Sequence, residues 1–352
     1  MKKLIARTKV YIAILLAAMV VVVWGLLAGS RPVSSGDKKP IRVVIVQGAS
    51  ARMVAGTLSE NKLIRSSFIF LITCKVSGAS EKIKPGVYEM NRSMSAPEII
   101  KRLVEGDTLE TWVTIPEGKT LREIADTLGE KQLTDPAAFL QLTTGHGCDF
   151  SNYSFIYADN LEGYLFPDTY LVARGVDTED IVKKMLDAFD EKVVAPNRLK
   201  IEQVNMNKFH LGEADFAEGL HRILTIASLV EREAKTREDR PKVAQVIWNR
   251  LAKNMRLEVD ATVSYSLGTS RANKARVLFS DLKKDSPYNT YLHAGLPPAP
   301  ICNPGLASIK AVLNPAPGDY LYYVAKKDGS HVFSRTLQEH NAAKNAIRNG
   351  KL

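Results

Sequence analysis

Apolar side chains recur at three- and four-residue intervals through Leu220, Ile223, Leu224, Ala227 and Val230, which predicts a helix with those residues on one face. Glu231, four residues past Ala227 and seven past Leu224, falls on the same face. Glu233 lies at the edge of the stripe, and Lys235 and Arg237 point toward solvent. A carboxylate in an apolar stripe costs on the order of several kcal/mol unless it is paired, hydrogen-bonded or protonated. Glu231 is therefore read either as a structural ion pair with Arg232 or Arg250, or as a general acid kept protonated by its apolar wall and ready to protonate a leaving-group oxygen. A second helix opens at Pro241, with Val243, Val246, Ile247, Arg250 and Leu251 on one face. The short link predicts antiparallel packing that brings Trp248 and Asn249 toward Glu231. RLEVDATVSYSLG then reads as a short extended segment and turn carrying Asp260 and Thr262 back.

Upstream, IRVVIV and TWVTIP read as strands, each followed by a Gly-x-Ser/Thr helix start, an amphipathic helix and a second short helix. The two copies are 70 residues apart: Gly48, Ser50, Val54, Ala55, Leu58, Glu60 and Leu63 are answered by Gly118, Thr120, Ile124, Ala125, Leu128, Glu130 and Leu133. Between them, KPGVYEM predicts a turn and strand, and Ser95, Pro97 and Gly106 mark the cap, first turn and end of a helix. This strand, helix, helix pattern over 41–145 resembles the LysM fold, a small module that grips N-acetylglucosamine polymers.

The character changes over 146–352. LEGYLFPDTY, Leu161 to Tyr170, sets Tyr164, Phe166 and Tyr170 as platforms for sugar rings and Glu162 as a partner for hydroxyls, although each aromatic taken singly reads better as core packing. A helix is predicted from Thr178 to about Lys192, then a polar connector to Asp215. Ser286 to Pro315 is too rich in Pro and Gly for regular structure before Asn303, which is read as the cap of a helix with Pro304 in its first position. The irregular part carries Tyr288, Asn289 and Tyr291 and is of the kind that lines a cleft. YLYYVA and HVFS flank KKDGS as a hairpin, and Thr336 with Glu339 forms a capping box for a last helix.

The N-terminus changes the expected setting. Lys2, Lys3, Arg7 and Lys9 form a basic tail over 1–9, followed by an uncharged stretch over 10–29. At 1.5 Å per residue this spans a hydrocarbon core of about 30 Å. It reads as a single-pass inner-membrane helix with the tail in the cytoplasm and everything beyond the polar linker at 30–40 outside. Of the chain's 352 residues, 45% are hydrophobic and 24% charged, which excludes disorder as its main theme. The net charge of +10 favours a polyanionic neighbourhood. No zinc-finger spacing, aromatic RNA-binding signature or arginine-rich arm is present, so nucleic acid is not an expected partner. Cys74, Cys148 and Cys302 are isolated, and the six histidines lack HxxxH spacing, so neither a disulfide framework nor a metal site is expected.

LEGYLFPDTY, ASLVEREA, VAQVIWNRL, LEVDATVSYSLG, YNTY, GLPPAPICNPG and HVFS occur in that order, and together they resemble the YceG-like (MltG) endolytic murein transglycosylases over most of the chain from about residue 41. The family's catalytic glutamate matches Glu231. The resemblance implies an α+β chain: a transmembrane helix, a LysM-like α+β domain, and a larger mixed helical and strand catalytic domain. It implies cleavage of the β-1,4 bond between N-acetylmuramic acid and N-acetylglucosamine by one carboxyl group, which protonates the glycosidic oxygen and then takes the muramoyl 6-hydroxyl proton as a 1,6-anhydro ring closes. Glu162, Tyr164, Asn249, Asp260, Tyr288 and Asn289 are the expected substrate-binding residues, although Tyr164, Phe166 and Tyr170 stand where many relatives carry tryptophan. The expected partners are glycan strands, the inner membrane and peptidoglycan synthases, with no cofactor. The other classes are a non-catalytic wall-binding scaffold and a muramidase hydrolase; the latter needs a second carboxylate, for which Glu162 and Asp260 are candidates.

Overall fold

The computed structural model describes residues 24–25, 28–145, 150–268 and 278–351. Among them no helix is long and apolar enough to cross a membrane; the expected span at 10–29 lies almost entirely outside the described residues, as does Cys148. The chain is a mixed α+β protein of two compact units, one of Met1–Val113 with Tyr170–Arg174 and one of Thr114–Thr169 with Gly175–Leu352.

The first unit is built on strands β1 (Ile41–Ile45), β2 (Gly86–Met90), β3 (Glu110–Thr114) and β4 (Thr169–Ala173), which neighbour one another in that order. Along β1, Val43 and Ile45 are buried while Arg42 and Val44 are exposed, the alternation a one-sided sheet requires. β1 runs antiparallel to β2, in register from Ile41 opposite Met90 to Ile45 opposite Gly86. Helices α1 (Ala51–Glu60), α2 (Ser67–Val76) and α3 (Ala96–Glu105) supply Val54, Leu58, Phe70, Ile99 and Leu103 to the core. Ser95 and Glu98 form a capping box at the start of α3, and Gly106 ends it in the left-handed region at φ +74°. The segment 30–40 is held down as well as polar: Ser34 N–H donates to Arg92 O at 3.0 Å, and Asp37 pairs with Arg92 at 3.1 Å.

The second copy of the repeated pattern supplies α4 (Leu121–Glu130) and α5 (Pro136–Thr143) to the second unit. Its backbone repeats the first copy closely. Gly48 and Gly118 both sit at φ +79°, and Lys62 and Gln132 both at φ +55°. Leu63 N–H donates to Leu58 O at 2.9 Å, and Leu133 N–H to Leu128 O at 3.0 Å.

The rest of the second unit comprises α6 (Thr178–Phe189), α7 (Ala195–Val204), α8 (Phe216–Glu233), α9 (Arg240–Ala252), α10 (Asp260–Ser266), α11 (Leu306–Leu313), the antiparallel pair β5 (Tyr322–Ala325) and β6 (His331–Ser334), and α12 (Leu337–Arg348). Helix α8 packs against α7, α9, α10 and α11. Its Leu220, Ile223, Leu224, Ala227 and Val230 are fully buried, each leucine or isoleucine contributing about 1.5–3 kcal/mol.

Three expected elements differ. The polar connector before Asp215 is instead helical, because π-helical turns at Asp190–Val194 and Asn205–Phe209 flank α7. Such wide turns shift the buried face and erase a 3.6-residue period. The stretch around Asp260 and Thr262 is a helix of 7 residues, in which Thr262 Oγ1 donates to Val259 O at 2.7 Å. Its β-branched residues imitate a strand. Finally, α11 is capped at Gly305 rather than Asn303, since the Asn303 side chain is engaged elsewhere.

Candidate active site

Glu231 ends the buried part of α8 and is 9% exposed. The C-terminal end of a helix repels a carboxylate, so its placement requires compensation from neighbouring elements. Helix α11 supplies part of it. Gly305 N–H donates to Glu231 Oε2 at 3.2 Å, and Ser308 Oγ donates to the same oxygen at 2.7 Å, so the carboxylate lies at the positive end of α11. The rest comes from Arg240, whose Nη2 donates to Glu231 Oε1 at 3.2 Å.

That cation corrects the expected pairing. Arg232 instead donates to Gly118 O at 3.2 Å, and Arg250 binds Leu321 O, Arg256 O, Leu257 O and Glu258. Antiparallel helices place the start of the second beside the end of the first, which selects Arg240. Trp248 and Asn249 are eight and nine residues farther along α9, roughly 12 Å at 1.5 Å per residue, and neither bonds Glu231. Trp248 Nε1 donates to Val312 O at 3.1 Å, and Asn249 Nδ2 to Tyr320 O at 2.9 Å.

A second carboxylate reaches the same arginine. Glu117, in the turn before α4, lies 3.7 Å from Arg240 Nη2. Burial and the negative charge of Glu231 raise its carboxyl above the ordinary range, against the opposing pull of Arg240. Glu117 also lies against Gly305: a Cβ there would fall 2.0 Å from Glu117 Oε1, so only glycine allows this approach. The turn is fastened to the segment before α11, with Gly118 N–H donating to Asn303 O at 2.9 Å and Asn303 N–H to Lys119 O at 2.8 Å. Ser228 of α8 holds that segment from the other side, accepting from Ile301 N–H at 3.0 Å.

Glu162 forms a separate centre. It is 2% exposed and accepts from Leu121 N–H at 3.1 Å, Asn303 Nδ2 at 3.0 Å and Tyr265 Oη at 3.3 Å. Burial pushes its carboxyl up to about 8 despite the Leu121 and Tyr265 hydrogen bonds, with Glu123 raising it further and Arg232 lowering it. Burial therefore favours its protonated form. It lines a cavity of about 410 Å³ together with Thr120, Arg122, Asp126, Asn160 and Tyr265.

The other expected substrate contacts are dispersed. Tyr164 is fully buried, its hydroxyl 3.0 Å from His221 Nδ1. Asn289 is fully buried too, donating to Leu282 O and Lys284 O at 3.0 and 2.8 Å. Burial of both side chains corrects the expectation that they touch substrate; they organise the interior and the loop. Asp260 is exposed and accepts from Tyr291 Oη at 2.6 Å. Tyr288 is half-buried, its ring centroid 5.0 Å from that of Tyr265. Sequence reasoning missed Arg240, Glu117, Gly305 and Ser308. The available signal was a difference between the repeats, Glu117 standing where the first copy has Gln47.

The YceG-like family model matches residues 43–346. An endolytic murein transglycosylase of Bacillus subtilis is 37% identical over 329 residues, covering 89% of this chain and 86% of the relative. One of Streptococcus pneumoniae D39 is 31% identical over 334 residues, covering 88% of this chain and 58% of that longer relative. A crystal structure of a yceG-like protein from Listeria monocytogenes superposes with a TM-score of 0.57 at 35% identity, covering 87% of this chain and 99% of that one.

Proposed function

The chain belongs to the YceG-like family, and from that premise we propose that it is a peptidoglycan lytic transglycosylase with Glu231 as its one acid and base. The observation that carries this reading is a nearly buried carboxylate whose two oxygens are separately engaged, Oε1 by Arg240 and Oε2 by Gly305 and Ser308. Protonated Glu231 gives its proton to the glycosidic oxygen as the bond from the muramoyl C1 breaks. The muramoyl O6 then bonds to C1, and its proton passes to the Glu231 carboxylate, so the acid is restored and no water is consumed. Arg240 neutralises the carboxylate between these steps.

A hydrolase uses a second carboxyl placed to attack the sugar or to activate water. Glu117 shares a single guanidinium nitrogen with Glu231, and the one-carboxyl route is taken from the similarity to endolytic murein transglycosylases. The discriminating experiment digests uncrosslinked glycan strands with the full chain and weighs the products. Muramoyl ends lighter by one water are expected; reducing ends would establish hydrolysis, and intact strands a scaffold.

Residues 10–29 are read as a single-pass anchor with the catalytic part outside the cytoplasm, supported by the basic flank and the uncharged run. The repeated strand, helix, helix region is read as LysM-like, either a glycan grip or a spacer, on the strength of its repeated pattern. Peptidoglycan synthases are the proposed partners, on the strength of the family resemblance. Exposed Asp260 and half-buried Tyr288 and Asn249 remain the proposed substrate contacts, with Glu162 at the wall of its cavity.

A further inference from the structure

Resting on the assignment of Glu231 as the acid, we propose that Glu117 is a positioning residue for catalysis, the alternate counter-ion that receives Arg240 whenever Glu231 carries the proton. The one-carboxyl reaction needs Glu231 in both protonation states within a single turnover. Arg240 matches only the charged state. When Glu231 is protonated, the guanidinium loses its anion in a site where its own side chain is only 15% exposed, and Nε–H has no partner among the described residues. An unpaired, largely buried cation is costly. Glu117, 3.7 Å from the same Nη2 that contacts Glu231 at 3.2 Å, accepts it with a movement of the guanidinium alone.

The surrounding backbone is arranged for this exchange. Both carboxylates converge on Gly305, one accepting its N–H and the other occupying the space a Cβ would fill. Gly118, whose φ of +79° favours glycine, brings the turn beside Glu231, where a Cβ would stand 3.4 Å from Glu231 Cγ. The remaining groups do not compete for Arg240. Arg232 is directed to Gly118 O, Ser308 is neutral, burial keeps Cys302 a thiol, and Glu162 is engaged by Leu121, Asn303 and Tyr265. Glu231 and Glu117 therefore share one cation, each within ion-pair distance of Arg240 Nη2.

The turn tolerates an amide at this position. In the first repeat Gln47 precedes Gly48 at the same φ of +79° found at Gly118, so Glu117→Gln removes the charge in a conformation the chain already builds with glutamine.

The test is kcat/KM against pH on uncrosslinked glycan strands, using the full chain in detergent. Glu117→Gln leaves Arg240 fixed on Glu231 and favours the unprotonated form, so the alkaline limb should move down by about one pH unit and activity on that limb should fall about tenfold. Glu117→Asp keeps the charge and should bring the limb back toward the parent; it also serves if the amide variant misfolds. Strand affinity, measured in a Glu231→Gln background, should not change on adding Glu117→Gln. An unmoved limb overturns the proposal, as does a loss of affinity, which would make Glu117 a substrate contact. If Glu231→Gln alone keeps its turnover, the assignment of the acid fails and this proposal falls with it. If Glu231→Gln is inactive while the Glu117→Gln limb stays in place, only the role of Glu117 fails.

Discussion

Glu231→Gln preserves the shape of the side chain and an acceptor for Gly305 and Ser308 but cannot exchange the required proton. Turnover should fall at least about 10²-fold while the melting temperature stays close to the parent's; near-parental turnover in a strand-cleavage assay would remove Glu231 from the mechanism. Glu162 makes a prediction about stability. Its carboxyl is raised from 4.5 to about 8 in the fold, so the native state binds a proton that the unfolded chain has released. Its contribution is fully present below pH 4.5 and is lost as pH rises toward 8, with a slope of at most about 1.4 kcal/mol per pH unit. Glu162→Gln mimics the neutral acid and should abolish that slope in denaturant titrations run across this range; an unchanged slope would mean that the carboxyl is ionised in place. The burial of Glu231 was legible because a carboxylate interrupts an apolar stripe. The sequence concealed Arg240, which has no such contrast, and it gave no sign that Glu162 is buried, because one acid in an aromatic-rich decapeptide has no period from which burial can be read.

Strands β1 to β3, the hairpin β5–β6 and the caps at Ser50, Ser95, Thr120 and Thr336 were legible because each depends on local chemistry within four residues. Helices α7 and α10 were not, for the opposite reason: π-helical turns break the period of one, and the other is too short to have one. Asn303 is the instructive case. Asn-Pro before an apolar run predicts a helix cap, yet the side chain accepts from Gly163 N–H at 3.0 Å and Leu165 N–H at 2.9 Å and donates to Lys119 O and Glu162. Long-range partners outbid a local one whose role the next glycine backbone fills. Asn303→Ala leaves two buried N–H groups unpaired at about 1–3 kcal/mol each. A loss of at least about 2 kcal/mol in urea denaturation is expected, together with reduced cleavage as the turn at Glu117 loosens. Stability within about 0.5 kcal/mol of the parent would mean that the Asn303 bonds are dispensable.

For the whole molecule, the basic tail and uncharged run predict that a reporter fused after Leu352 is active only outside the cytoplasm and that the mature protein keeps its first thirty residues. Reporter activity confined to the cytoplasm, or an N-terminus found at or beyond Ser30, would count against the anchor. The repeated pattern has a different kind of consequence. Two stretches 70 residues apart share their turn, cap and helix-end conformations, but only the later one brings a carboxylate to Arg240. If Glu117 alone serves the site, the two copies share a demand on the backbone of the turn, but only the later one has a demand on the charge before its glycine. Position 47 should then vary among relatives far more than position 117, and an alignment in which the two vary equally would argue that the charge at position 117 answers to no such demand.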